Sequence, residues 1–307
     1  MSGYSFQAPQ NFLGLPAGNS DFGRSRALIL PVPFEMTTSY GGGTRNGPAA
    51  ILAASRQVEI YDREFDGEVA LRWGIHTLPA LALDLRSPEA AVDAIAVAVS
   101  EWAAHGKLLG VLGGEHTVSV GVARGLASLY GEFVTVQLDA HADLRDTYEE
   151  TAYSHACAMR RILDIADCGQ VVQVGVRSLD MAEAAFIRDN PGRVTTLFAE
   201  HMLYDRSYLQ SLAHALRGKQ VFLTVDLDVF DPSIMPATGT PEPGGLLWRD
   251  VLDIVHTVAT SGEIIAFDCV ELAPIPGLHA PDFMAAKLIY KIINIVLQQA
   301  DHRGTTE

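Results

Sequence analysis

An α/β fold of three layers, with helices covering both faces of a central and mostly parallel sheet, is what this 307-residue sequence predicts. Three observations carry the prediction. Short apolar runs alternate in order with segments of helical period, which is the pattern of strands joined by crossover helices. The runs are almost continuously hydrophobic, as strands covered on both faces are. No linker is long enough to split the chain and no internal repeat is visible, so a single domain over residues 1–307 is expected.

The elements follow in sequence. Residues 1–25 are rich in Gly, Pro, Asn and Ser and read as an irregular arm lying over the domain or a neighbouring subunit. A strand at 27–32 leads into the glycine-containing loop 37–48, and Pro48 suits the first position of a helix through about 59. The loop lacks both G-x-G-x-x-G and Gly-Lys-Ser/Thr spacing, so it reads as a tight loop close to another backbone and not as a phosphate cradle. A short strand at 71–77 precedes a helix at 88–105, whose expected buried stripe is Ala91, Ile95, Val97, Val99 and Trp102. Strands at 107–112, 133–138, 171–176, 194–198, 221–225 and 264–270 then alternate with helices ending near 130 and spanning 154–165, 181–189, 206–216, 247–260 and 281–299.

Composition narrows the function. With 48% hydrophobic and 19% charged residues the chain can bury a large core. A formal net charge of -15 repels nucleic acid and anionic membrane, and suits a cationic substrate or a divalent metal. The three cysteines, Cys157, Cys168 and Cys269, form neither a disulfide framework nor a thiolate zinc pattern, so a reducing cytoplasm is expected. No signal-like N-terminus and no unbroken run of 18 apolar residues occurs, so an unprocessed soluble protein is expected.

Chemistry concentrates at the expected carboxyl ends of strands, where sites of parallel sheets lie. Asp139, His141 and Asp143 fall at every second residue where the 133–138 run ends, so a strand would aim them to one side. If that strand stops near His141, Asp143 reaches the same place from the turn. His116 follows the 107–112 run, and Asp226 and Asp228 follow 221–225. Any one of these groups alone is more often a turn former or a satisfied polar group. Together they bring four carboxylates and two imidazoles into one crevice, and that repulsion demands a cation. The set is too large for one tetrahedral zinc and contains no thiolate. Two harder ions fit better, manganese best of all, and a metal pair of that kind activates water for hydrolysis.

Three strings then identify a resemblance: Gly113-Gly114-Glu115-His116-Thr117, Asp139-Ala140-His141-Ala142-Asp143, and Asp226-Leu227-Asp228-Val229-Phe230-Asp231-Pro232. With Thr238-Gly239-Thr240-Pro241-Glu242-Pro243-Gly244-Gly245-Leu246 they resemble the ureohydrolases, the family of arginases and agmatinases, over about residues 40–299. The resemblance implies an arginase-like three-layer fold and two Mn²⁺ ions per subunit, which hydrolyse a guanidinium to urea and an amine. It implies one ion on His116, Asp139, Asp143 and Asp226, and the other on Asp139, His141, Asp226 and Asp228, with Asp139 and Asp226 bridging. It also implies His155 as proton shuttle in contact with substrate, Glu271 as the carboxylate that clamps the guanidinium, and Asp143 as a further catalytic group. A trimeric or hexameric homo-oligomer is implied in the same way.

The segment after Asp143, Leu144-Arg145-Asp146-Thr147-Tyr148-Glu149-Glu150, lacks the Asn that arginases carry there and is similar to agmatinases. The expected reaction is therefore agmatine to putrescine and urea, a step of polyamine metabolism; acidic Asp146, Glu149 and Glu150 suit a doubly charged substrate or equally form a solvated charged loop. The same chemistry on guanidinobutyrate, another ω-guanidino acid, guanidine or arginine is the alternative. A non-catalytic metal-binding relative is the competing class, against which the completeness of the ligand set stands. A single-zinc deacetylase gives no reason for His116, Asp143 and Asp228 together.

Overall fold

A computed structural model describes residues 10–202 and 205–304. The strands are β1 (Ala27–Val32), β2 (Ile75–Thr77), β3 (Leu108–Gly113), β4 (Phe133–Leu138), β5 (Cys168–Val176), β6 (Val194–Phe198), β7 (Gln220–Asp226) and β8 (Glu263–Val270). The helices are α1 (Gly47–Ser55), α2 (Val69–Trp73), α3 (Pro88–Ala103), α4 (Val118–Tyr130), α5 (Ala158–Leu163), α6 (Met181–Asp189), α7 (Ala199–Met202), α8 (Tyr208–Leu216), α9 (Trp248–Ser261) and α10 (Ala280–Gly304). One eight-stranded sheet runs in the order β2-β1-β3-β8-β7-β4-β5-β6, and every pairing within it is parallel.

The period of two along each strand divides the core between the faces. Ala27 and Ile29 of β1, Val134, Val136 and Leu138 of β4, and Val221, Leu223 and Val225 of β7 join the layer that holds α1, α8, α9 and α10. Leu28, Leu30 and Val32, Phe133, and Phe222 face the opposite layer, with α3, α4 and α5. Both faces being covered explains why the strands read as continuous apolar runs. Ser87 caps α3 by accepting from the Ala90 N–H, and Asp180 with Glu183 forms a capping box on α6.

Two expectations are corrected, and a third, the N-terminal arm, resolves to one of its two alternatives. Residues 69–73 are helical, and the strand is confined to Ile75–Thr77, because Gly74 at φ 72° takes the left-handed turn that ends α2. Val97 is 70% exposed, since at 100° per residue it falls off the Ala91, Ile95 and Val99 face, while Val92 and Ala98 are buried instead. In the N-terminal arm, residues 1–9 lie outside the described part, and Phe12 and Leu15 are fully buried in this chain's own core. The arm is pinned by the Phe12 N–H on Thr77 Oγ1 (2.9 Å) and the Leu13 N–H on Ser55 Oγ (2.9 Å). The glycine loop lies against backbone as read from sequence. Gly41 N–H donates to Gly239 O at 3.2 Å, and a Cβ on Gly41 would come within 2.7 Å of that oxygen.

Away from the sheet ends, α10 carries one buried ion pair. Lys291 Nζ donates to both oxygens of Asp62 (3.1 and 3.0 Å) and also pairs with Glu64, and Asn294 Nδ2 donates to Asp62 at 2.8 Å. Burial raises the Asp62 carboxyl, but the Asn294 amide and the Lys291 ammonium outweigh it and leave it below the ordinary range. A folded-state value below the unfolded one gives stability that is present above about pH 4 and lost as pH falls through the depressed value. Lys291→Met should cost about 3–5 kcal/mol at neutral pH by leaving Asp62 buried without its cation. Urea unfolding should show that gap from the unsubstituted protein narrowing as pH falls from neutrality, because Asp62 of the variant takes up a proton before Asp62 of the unsubstituted protein does.

Candidate metal centre and active site

Four adjacent strands in the middle of the sheet, β3, β8, β7 and β4, end at one cleft. The turn after β3 carries His116, β8 is followed by Glu271, β7 ends in Asp226 with Asp228 just beyond, and β4 is followed by Asp139, His141 and Asp143. Each expected ligand is buried except His141, whose side chain is 24% exposed. The cleft is lined by His116, His141, Asp143, Asp226, Asp228 and Glu271, with His155 on its wall. All eight residues singled out from the sequence therefore lie at one end of the sheet. Its volume of about 250 Å³ suits a slender small molecule.

Two groups of side chains could each hold an ion, His116 with Asp139 and Asp226, and Asp139 with His141 and Asp228. Asp139 is common to both, and its two oxygens divide between them: Oδ2 lies 3.0 Å from His116 Nδ1, and Oδ1 lies 3.6 Å from His141 Nδ1. His116 Nδ1 also faces Asp143 Oδ2 at 2.9 Å and Asp226 Oδ2 at 3.4 Å. His141 Nδ1 is 2.8 Å from Asp228 Oδ2. Asp143 has φ 51° and so approaches from a left-handed turn, as expected if β4 stops short of it. Glu271, at φ 66°, is held in the same region, a strained backbone of the kind that clusters at functional sites.

The electrostatics describe a site short of positive charge. Burial disfavours charge on His116, yet Asp139 and Asp143 raise it well above the ordinary imidazole range. Against the same burial penalty, Asp228 and Asp139 push His141 up to about 12. Burial and the charge of Asp139 push Asp143 up to about 7. Burial, Asp228 and Asp139 raise Asp226, and burial with Asp139 raises Asp228. Protons are thus drawn onto groups that would serve as ligands, and divalent cations would take their place. Among the described residues His116 Nδ1 is a buried nitrogen with no hydrogen-bond partner and three carboxylate oxygens around it, which fits a metal-directed lone pair. Carboxylate and imidazole donors without thiolate suit hard to intermediate ions in a pair.

Surrounding groups fix these donors in place. His116 Nε2 lies 3.0 Å from Thr224 Oγ1, and Gln137 Nε2 donates to Asp139 Oδ2 at 2.7 Å. Backbone N–H groups of His141 and Asp228 donate to Asp139 Oδ1 (2.6 Å) and Asp226 Oδ1 (2.8 Å), and Ala140 N–H donates to Asp228 Oδ1 (3.0 Å). The Arg177 guanidinium donates to the carbonyls of Asp228 (2.7 Å) and Glu242 (2.9 Å), tying the two loops behind the site together. Glu271 Oε1 accepts from His116 N–H at 2.7 Å, and its own N–H donates to Gly114 O at 2.8 Å. Burial and Glu115 raise the Glu271 carboxyl, so a cation beside it is strongly favoured.

Thr224, Gln137, Arg177 and Asp268 were not singled out from sequence. A signal was present for three of them, since Gln137, Thr224 and Asp268 are polar residues inside apolar strand runs. Asp268 is fully buried with both oxygens lacking a hydrogen-bond partner among the described residues, and burial pushes it up to about 6. Arg177 left no such mark. Of the two readings of the acidic triplet, the solvated charged loop holds, since Asp146, Glu149 and Glu150 are all exposed. Asp146 is turned to Arg161 (2.7 Å), and it does not line the cleft, nor do Glu149 and Glu150. Arg145, Tyr148, Asp180 and Glu183 form that wall instead, with Thr38, Ser39 and Tyr40 of the glycine loop across from the ligands.

Known proteins share this architecture. Residues 25–294 match the model of the arginase family. The chain is 36% identical over 290 residues to an N(1)-aminopropylagmatine ureohydrolase of Synechocystis sp., covering 93% of each. It is 32% identical over 262 residues to an agmatinase of Bacillus anthracis, covering 83% of this chain and 86% of that one. The crystal structure of the agmatine ureohydrolase of Thermoplasma volcanium superimposes with a TM-score of 0.83 at 27% identity, over 98% of both chains.

Because Asp139 belongs to both groups, Asp139→Asn should lower divalent-metal content at both positions, and Asp228→Asn chiefly at one. Metal analysis after Mn²⁺ loading checks this. Loading should also raise the unfolding temperature of the unsubstituted protein, by about 2.7 kcal/mol of stability at a hundredfold excess over Kd. That rise should vanish in Asp139→Asn.

Proposed function

Because the chain belongs to the arginase family, we propose that it splits a guanidino group carried on a linear polyamine into urea and an amine, agmatine giving putrescine. The observation that carries this reading is the meeting of two imidazoles, four aspartates, His155 and Glu271 in one cleft. We assign His116, Asp139, Asp143 and Asp226 to one ion and Asp139, His141, Asp226 and Asp228 to the other, both Mn²⁺. The division of the two Asp139 oxygens between the imidazoles supports that arrangement. When bound, such a pair supplies an acidified water and offsets the charge of the carboxylates.

The remaining steps belong to the protein. Glu271, with Oε1 held by the His116 N–H, presents a buried carboxylate to a guanidinium, and such a pairing is directional enough to aim the central carbon. Asp143, on the cleft wall, accepts a proton of the attacking water as the new C–O bond forms. His155 hands a proton to the departing nitrogen as the C–N bond breaks, and an imidazole is suited to both directions of that transfer near neutrality. Burial lowers the His155 ring while the charge of Glu115 opposes the shift.

N(1)-aminopropylagmatine is a second reading. It is favoured by the name of the Synechocystis relative and of relatives in Thermus thermophilus and Thermococcus kodakarensis at 33–34% identity. Both substrates present the same guanidinium and differ only in the tail that reaches the rim.

Urea release from agmatine, N(1)-aminopropylagmatine, guanidinobutyrate and arginine, with Mn²⁺ present, ranks the candidates. The two polyamines should lead, and strong turnover of arginine with none of either would overturn the proposal. Glu271→Gln should raise KM and cut kcat, lowering kcat/KM by about 10²–10³ with metal content unchanged. His155→Asn should lower kcat by about 10²–10⁴ with little change in KM; full turnover across pH would remove it from the mechanism.

A further inference from the structure

We infer that Glu115 and Thr37 act as positioning residues for His155, through a carboxylate–hydroxyl–imidazole chain that fixes the neutral ring in its Nδ1–H form and leaves Nε2 as the basic atom. The inference rests on the proposed role of His155 as proton donor to the leaving amine and adds how the ring is prepared for it. Glu115 belongs to the Gly-Gly-Glu-His-Thr string, yet it is not a metal-group member and does not line the cleft. It is fully buried. Its Oε2 accepts from the N–H groups of Met36 and Thr37, both at 2.7 Å, and its Oε1 accepts from the hydroxyls of Thr37 (2.6 Å) and Thr117 (2.9 Å).

The direction of the chain follows from counting protons. Glu115 Oε1 and Thr37 Oγ1 are only 2.6 Å apart, so the hydroxyl proton has to lie between them. Were it turned toward His155, two oxygen lone-pair shells would face each other at that distance. With its one proton committed, Thr37 Oγ1 is left with two lone pairs and therefore can only accept. It has two donors to accept from: the His155 backbone N–H at 3.0 Å and the ring Nδ1 at 3.3 Å. The ring nitrogen facing an obligate acceptor carries the hydrogen, which sets the tautomer.

Ser154 Oγ also lies 3.3 Å from Nδ1 and accepts from the Ala156 N–H at 3.4 Å. Its hydroxyl is free to turn and so does not choose the tautomer. Tyr148 closes the other side of the ring edge-on, with centroids 6.0 Å apart. In the reaction, Nε2 takes a proton from solvent to give the imidazolium and then releases that same proton to the departing amine nitrogen, while the water proton accepted by Asp143 returns to solvent. The ring returns each time to the Nδ1–H form because Thr37 accepts that hydrogen throughout. The same carboxylate anchors Met36 and Thr37, so the chain also fixes where the glycine loop begins its passage over the cleft.

The test reads the tautomer directly. In full-length, zinc-loaded protein labelled with ¹⁵N-histidine, His155 at about pH 8, where an imidazole is neutral, should show a protonated Nδ1 and an unprotonated Nε2. Thr37→Val should mix the two forms and lower kcat about tenfold or more, with KM and metal content unchanged. Thr37→Ser should restore both readouts, and Ser154→Ala should leave the tautomer as it is. An Nε2–H ring in the unsubstituted protein overturns the inference whether or not any variant folds. A Thr37→Val protein with unaltered tautomer and kcat also overturns it. The spectrum needs no substrate, so a protein that released no urea from any guanidine would end the functional proposal and leave this one to be decided by the tautomer.

Discussion

Negative charge held out of water is the constraint on which this structure depends. Asp139, Asp143, Asp226, Asp228 and Glu271 are all buried at the ends of neighbouring strands, with His116 and His141 among them. Carboxylates so placed cannot all be ionised beside one another unless cations compensate them. In the protein alone that compensation falls to protons, drawn onto both imidazoles and onto part of the aspartates. The site is therefore suited to ions that displace those protons, and Glu271, whose carboxyl burial and Glu115 raise in the same way, is the proposed partner of a cationic substrate.

Such a site needs backbone that brings unlike strands close together. Gly114 lies where a Cβ would meet Phe34 O at 1.9 Å, so no side chain fits between the loop after β1 and the end of β3. Its carbonyl accepts from Glu271 N–H, which couples the end of β3 to the turn that carries the proposed substrate clamp. Glu115, one residue on, then binds the Met36–Thr37 backbone. Within three consecutive residues, 114–116, the chain packs against Phe34, anchors Met36 and Thr37 and presents the proposed nitrogen ligand His116. That concentration explains why a short sequence string carries so much of the site.

Burial also accounts for the polar groups behind the ligands. Gln137, Thr224 and Asp268 occupy strand positions that elsewhere hold Val, Leu or Ile, and each stands beside a site residue or its partner. A donor or acceptor at such depth is costly unless it orients something. Gln137 holds Asp139, and Thr224 faces the Nε2 of His116, so the ring turns its Nδ1 to the carboxylates. Arg177 does the same for backbone, holding the Asp228 and Glu242 segments by their carbonyls.

Much of this was legible in one sequence. The order of strands and helices followed from apolar runs and helical period, because both faces of the sheet are covered and the pattern needs nothing distant to be read. The proposed ligands were legible as candidates because Asp139, His141, Asp226 and Asp228 interrupt or end apolar runs, where charge has no packing reason to be. Local pattern failed where a single residue decided, as at Gly74, which ends a helix inside an expected strand, and at Val97, whose helical phase overrides its hydrophobicity. What only the tertiary structure decided was adjacency. β8 lies beside β3, and β7 beside β4, although the chain makes the members of each pair far apart in order. Strand order is set by how whole layers pack, so no local string could say that Glu271 would touch His116, or that Thr37 would sit between Glu115 and His155. The sequence determined which chemical groups stand at the strand ends; packing determined which of them meet.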